Sequence, residues 1–311
     1  VNTSASRKQK LIAPLPVRDG VSPSFLWLPE GTWPDMRSFL IDWFPDVDIA
    51  TWEARMAKGD VVDAQGNPLH PDTPYKRGIC VFYYREIADE TPIPFEEQVL
   101  FRDEHLLVVD KPHFIPVAPS GRFLHETLLV RLKKKLGLEH LVPLHRIDRE
   151  TAGVVLFSHN PETRGSYQAI FRDRVIDKEY EALAPLPPIG KALQFPFTYR
   201  SCIVKGEPFF CMQEVEGEPN SETWIDLIEQ FDGIGRYRLR PVTGRQHQLR
   251  VQLSALGMPI LNDAFYPVAL PCKGDDVSHP LKLLARTLAF DDPLTGQRRY
   301  FESARTLQPD P

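Results

Sequence analysis

Apolar residues recur at helical spacing near the front of this chain and in short unbroken runs further on. Met36, Phe39, Leu40 and Trp43 repeat at three and four residues, as one face of a helix does, and Pro45-Asp46 ends the run. Ile49, Trp52 and Met56 predict a second helix closing near Gly59. Val61-Val62-Asp63, the turn Gly66-Asn67-Pro68 and the apolar stretch 79–84 read as a short hairpin. After a Glu- and Pro-rich linker at 89–97, residues 99–101 and 106–109 predict a strand pair around Arg102-Asp103-Glu104. Leu128, Leu129, Leu132 and Leu136 give a helix over 126–136 one apolar face, with Lys133, Lys134 and Lys135 expected on its wet side. Val154-Val155-Leu156-Phe157 predicts a buried strand. A helix is expected to start at 158–162, with Pro161 in its first turn, and to run to Phe171. Further strands are expected near 177–183, 224–228, 237–239 and 288–290, whereas 185–220 carries many turn signals and no readable register.

The densest chemistry stands just ahead of the Val154 run. Residues 145–150, His-Arg-Ile-Asp-Arg-Glu, hold two arginines, a histidine and two carboxylates, and Thr151-Ala152-Gly153 then let the backbone approach a neighbour closely. That is the layout of a loop presenting charge from the lip of a sheet. On the local pattern a plainer reading is equally open, in which Arg146 and Arg149 pair with Asp148 and Glu150 on a solvated loop.

Composition narrows the class. At 311 residues the chain exceeds a typical single domain, so one large core with a smaller appendage is expected. A formal charge of -5 argues against an all-over basic surface but permits a local basic cleft. Cys80, Cys202, Cys211 and Cys272 form no Cys-x-x-Cys pair, so free thiols in a reducing compartment are expected rather than a metal site or disulfides. No apolar run reaches membrane-spanning length and the first twenty residues lack a signal core, which gives the expectation of a cytoplasmic protein with no membrane partner.

The run His145-Arg146-Ile147-Asp148, followed by Thr151-Ala152-Gly153, resembles the catalytic motif of the RluA-type pseudouridine synthases, with Ile147 in the usual Leu place and Ala152 where Ser is common. Other elements resemble that family in the same order: Asp110-Lys111-Pro112 closing a strand, Lys178-Glu179-Tyr180, and Thr243-Gly244-Arg245-Gln246-His247-Gln248-Leu249-Arg250-Val251. Gly257-Met258-Pro259-Ile260 and Asp263-Ala264-Phe265-Tyr266 continue the likeness, while Gln252, Asn262 and Leu284 depart from its usual His, Gly and His. The resemblance implies an α+β pseudouridine synthase fold with a large, mainly antiparallel, bent sheet over 89–311. It also implies a degenerate S4-like domain at 31–88, preceded by an extended arm at 1–30. The face of that domain expected to be basic reads Asp46, Asp48, Glu53 and Arg55, so a structural cap is the alternative to RNA binding there. Arg7, Lys8 and Lys10 of the arm either touch RNA or form a solvated tail.

What the resemblance implies for function is isomerisation of a uridine in structured RNA, ribosomal or transfer, by a monomer that needs no cofactor and no metal. The nucleotide must be flipped out for its bonds to be reached. Asp148 would be the nucleophile, attacking either sugar or base, with Arg250 as its counter-charge and Tyr180 against the uracil. Arg122, His145, Arg146, Arg245 and His247 are the expected RNA contacts, His145 either orienting the loop or stacking. A catalytically weak RNA-binding or ribosome-assembly protein with the same fold is the alternative. A hydrolase using Asp148 and His145 leaves the Tyr and Thr-Gly-Arg elements without a role.

Overall fold

A computed structural model describes residues 12–87, 90–190, 193–270 and 276–310. The chain divides into two compact units, Val1–Glu90 and Thr91–Pro311. Arg7, Lys8, Lys10 and Cys272 lie outside the described residues; Cys80, Cys202 and Cys211 are free thiols. Among the described residues no helix is long and apolar enough to cross a membrane.

In the first unit the sequence elements are β1 (Ser24–Trp27), α1 (Met36–Trp43), α2 (Ile49–Ala57), β2 (Val61–Asp63) and β3 (Cys80–Tyr83). Both helices start where an aspartate caps them: Asp35 accepts from the Ser38 N–H at 2.8 Å and Asp48 from that of Ala50. Met36, Phe39, Leu40, Trp52 and Met56 then meet in one core with Val61 and Val81. Within the stretch expected as an extended arm, Ser24–Trp27 pairs with β3 along its whole length, which gives the sheet order β1-β3-β2. Arg55 also departs from expectation. It is buried, 3.3 Å from Glu86 and over the Trp52 ring, and Asp46 and Asp48 lie in the turn between the helices, so the four residues do not share one helical face.

The second unit begins with the hairpin β4 (Gln98–Arg102) and β5 (Leu106–Lys111), turned by Asp103, whose carboxylate accepts from the His105 and Leu106 N–H groups. Then come α3 (Leu128–Leu136), β6 (Val142–Pro143), β7 (Ala152–Ser158), α4 (Arg164–Arg172) and β8 (Ile176–Pro185). The turn-rich stretch 185–220 supplies β9 (Phe197–Lys205) and β10 (Met212–Val215). The chain closes with β11 (Ser221–Phe231), β12 (Ile234–Pro241), α5 (Gln248–Ala255), β13 (Leu283–Asp291) and β14 (Arg298–Glu302). One 11-stranded sheet runs β10-β9-β11-β12-β8-β13-β7-β5-β4, with β14 on β13 and β6 on β7. Every pairing is antiparallel except β7 with β13 among the described residues.

The unbroken apolar runs are explained by burial on both faces. Leu106, Val108, Val154 and Leu156 pack with Tyr167 and Ile170 of α4, while Leu107, Val109, Val155 and Phe157 pack on the opposite side with Leu128 and Leu132 of α3. β11 and β12 alternate instead, and α5 covers their inward residues through Leu249, Leu253 and Leu256. Two helix details differ from expectation. Lys133 is buried rather than on the wet side of α3, its pKa lowered by that burial, and Lys135 is engaged with Glu96 and Glu97. Pro161 lies in the turn ahead of α4 rather than inside it.

The parallel seam has no room for a side chain at Gly153. Its φ is +116°, and a Cβ there would lie 2.2 Å from the Ala285 carbonyl oxygen. Gly153→Ala is therefore expected to destabilise the fold by at least about 2 kcal/mol, through backbone strain and parting of β7 from β13. Urea unfolding checks this; a variant as stable as the parent would mean the seam yields freely.

Candidate active site

The loop 144–151 is fixed at both ends before any functional group is considered. Lys111, at the end of β5 and fully buried, donates from Nζ to the carbonyls of Pro112 (3.0 Å), Ile115 (2.8 Å) and Arg149 (3.0 Å). Burial lowers its pKa to about 7, against the opposing pull of Glu150 and Asp148. His145 fixes the other end. Its Nε2 accepts the Leu156 N–H at 3.0 Å and its ring stacks on Phe171 at 4.9 Å. Burial lowers the His145 pKa to about 3, which suits an uncharged acceptor. Of the two roles open to His145, orienting the loop or stacking, this geometry is that of a loop anchor, and with Nε2 taken by the Leu156 N–H the ring is not placed as the base a hydrolase would need.

Between these anchors the loop aims Asp148 at α5. Asp148 Oδ2 accepts from Arg250 Nη1 at 3.1 Å, and Oδ1 is 3.9 Å from His247 Nε2. The plainer pairing survives in part, since Arg149 Nη1 is 3.4 Å from Glu150, but Asp148 takes its partner from 102 residues away. Arg250 lies in the first turn of α5. Its side chain is 1% exposed, and Asp263 holds it through two bonds, Nε to Oδ2 at 2.8 Å and Nη2 to Oδ1 at 2.6 Å. Burial opposes its charge, yet the hydrogen bonds and charge of Asp263, with Asp148 and Glu150, outweigh that and raise its pKa. Phe265 lies beneath the guanidinium at 4.7 Å.

His247 enters this network with φ +52°, directly ahead of α5. The Tyr266 hydroxyl accepts the Met212 N–H at 2.8 Å and is 2.8 Å from His247 Nδ1. Burial, foremost, pushes the tyrosine up to about 12. With the Tyr266 hydroxyl as donor to Nδ1, a neutral His247 carries its proton on Nε2, facing Asp148. Burial lowers the His247 pKa despite Asp148.

The start of α5 is held by a polar network. Gln248 Oε1 accepts from Thr243 (2.7 Å) and from the Arg245 N–H (3.0 Å), and its amide donates to Glu222 O and Thr223. Gln252, where the family usually has His, is equally committed: Thr223 donates to it at 2.6 Å, and it donates to Ser201 and Ser221 at 3.2 Å. Leu284, the other departure, is simply core.

His145, Asp148, His247, Gln248, Arg250 and Phe265 line an open cleft of about 1150 Å³, above the roughly 300–1,000 Å³ of most small-molecule pockets. Arg122, Arg146, Arg149, Arg174, Lys178 and Arg245 surround Asp148 and Glu150, giving an acidic chain the local basic surface its composition permits. Tyr180, on β8, also lines the cleft; burial and then the Asp148 charge raise its pKa. Every residue singled out as a site candidate, Arg122, His145, Arg146, Asp148, Tyr180, Arg245, His247 and Arg250, lies along this one cleft. Lys111, Asp263 and Tyr266 stand in motif positions whose sequence assigns them no role, and Arg174 and Phe210 carry no signal beyond a charged cluster and an aromatic pair.

The chain belongs to the RNA pseudouridine synthases. A family model described as RNA pseudouridylate synthase matches residues 105–255. An RNA pseudouridine synthase of Synechocystis sp. is 30% identical over 227 residues, covering 69% of this chain and 73% of that protein. The dual-specificity RNA pseudouridine synthase RluA of Pasteurella multocida is 31% identical over 212 residues, covering 64% and 89%. Human pseudouridylate synthase RPUSD2 is 37% identical over 183 residues, covering 57% of this chain, and the match spans 32% of the human protein. In fold, the chain is similar to human RNA pseudouridylate synthase domain containing 1, with a TM-score of 0.53, 24% identity and coverage of 70% and 84%.

Proposed function

We propose that this chain is an RluA-type synthase that isomerises a uridine of structured RNA, ribosomal or transfer, with Asp148 as nucleophile. The observation that carries the reading is the 3.1 Å pair of Asp148 with the buried, doubly held Arg250, inside a cleft lined by basic side chains. A guanidinium clamped by Asp263 cannot follow Asp148 outward, so it fixes where the carboxylate stands before substrate arrives. Isomerisation breaks the bond from the sugar to N1 of uracil, forms one to C5, releases the C5 proton and leaves N1 to take up a proton from solvent. Tyr180 offers a ring to the base and keeps its hydroxyl proton, while Arg146 and Arg245 supply exposed cations for the flipped nucleotide and its phosphates. Relatives named for tRNA position 32 and for dual specificity are compatible with either RNA class.

The direct test incubates the full chain with total RNA from cells lacking the gene and maps new pseudouridines. Binding without isomerisation would favour the assembly-protein reading. The front unit is read as S4-like in its order of two helices and a hairpin, and, with acids in place of a basic face, as an aid to substrate geometry rather than affinity.

Arg245 gives a separate prediction. Its Nε is held by the Asn220 carbonyl at 3.1 Å and the residue is exposed. Arg245→Ala should weaken RNA binding and reduce the slope of log affinity against log salt by about 1. An unchanged slope across a salt series would remove Arg245 from the phosphate contacts.

A further inference from the structure

The tip of the β9–β10 hairpin carries two adjacent phenylalanines that the proposed chemistry does not use. Phe209 is 84% exposed and Phe210 is 37% exposed. The tip is a built turn: Gly206 N–H donates to Cys211 O at 2.9 Å, and Cys211 N–H donates to Pro208 O at 2.7 Å, with Cys211 buried beneath. Single exposed apolar residues are ordinary on protein surfaces. This pair is distinguished by where it leads. Ring centroids step from Phe209 to Phe210 at 5.4 Å and from Phe210 to Phe265 at 5.3 Å; Phe265 is the ring under Arg250 and lies 5.6 Å from His247. Phe210 itself lines the cleft, and Gln246, beside Arg245, donates to its carbonyl at 3.4 Å.

We infer that Phe209 is a stacking platform for an unpaired nucleobase of the substrate RNA, next to the flipped uridine. The inference rests on the reading of the cleft as a uridine-isomerising site. Flipping one nucleotide strips its neighbour of a stacking partner. A rigidly presented ring at the rim, with the Arg245 cation close by for the backbone, replaces that lost face without reading base identity. A protein partner would be a different occupant, but the arginine-lined cleft with which the ring row is continuous favours a polyanion.

The test uses the full chain and a labelled twelve-nucleotide single strand, r(AC)6, alongside its duplex with r(GU)6. The single strand has no uridine, so catalytic competence does not enter the reading. Phe209→Ala should weaken single-strand binding by about fivefold or more, the low end for one stacked base, and leave the duplex within about twofold. Phe209→Trp should bind the single strand at least as tightly as the parent, whereas Phe209→Leu, apolar but without a π-face, should resemble the alanine variant. The inference is overturned if alanine costs nothing, if both RNAs lose equally, or if Leu restores binding as well as Trp. Failure of the isomerase reading would appear elsewhere, as no pseudouridine formed by the parent chain from total RNA.

Discussion

Asp148→Asn should abolish pseudouridine formation, with a loss of at least about a thousandfold, the scale on which removing a nucleophile acts. The fold should be nearly untouched. The amide oxygen still accepts from Arg250 Nη1, and Arg250 remains neutralised by Asp263. The side chain is also 26% exposed, so no cavity or buried orphan is left. The measurement is tritium release from RNA carrying 5-tritiated uridine, with thermal unfolding as the fold control. Turnover within about tenfold of the parent would exclude Asp148 as the nucleophile.

Removing Arg250 should have two separable effects. Arg250→Met takes the buried counter-charge from Asp263, itself 1% exposed, and breaking a buried pair from one side costs about 3–5 kcal/mol. For a unit of this size the melting temperature should fall by on the order of 10 °C. Turnover should also collapse, since Asp148 loses the donor that positions it. Adding Asp263→Asn removes the orphaned charge while keeping an oxygen for the Phe265 and Tyr266 N–H groups. The double variant should thus regain much of its stability and none of its activity. Recovery of both would mean that Arg250 acts only as a brace.

Much of this arrangement was legible because burial writes itself into the sequence in simple periods. β5 and β7 are covered on both faces and read as unbroken apolar runs; α1 and α2 keep a three-four spacing because each buries one side. β9 and β10 were not legible, since β9 has only one covered face and β10 only four residues, with proline and glycine between them. The side chains that line the cleft around Asp148 were recoverable through motif order, but those that hold them were harder to find. Nothing local marks Lys111 as a threefold donor to carbonyls, or Asp263 as the clamp on a residue 13 positions earlier. Lys133 misled for the opposite reason: three adjacent lysines suggest solvent, and helical geometry nevertheless turned one inward.

The place of β13 in the sheet has a consequence for biosynthesis. Leu283–Asp291 lies between β7, which continues from the Asp148 loop, and β8, which carries Tyr180, although both are translated about a hundred residues or more earlier. Until that strand leaves the ribosome, β7 and β8 each present a bare edge, and the two banks of the cleft have no common floor. A nascent chain must therefore be made as far as Asp291 before the site can exist. During that interval a partly made protein is exposed to strand pairing with its neighbours on a polysome, and it has no means of acting on the RNA around it.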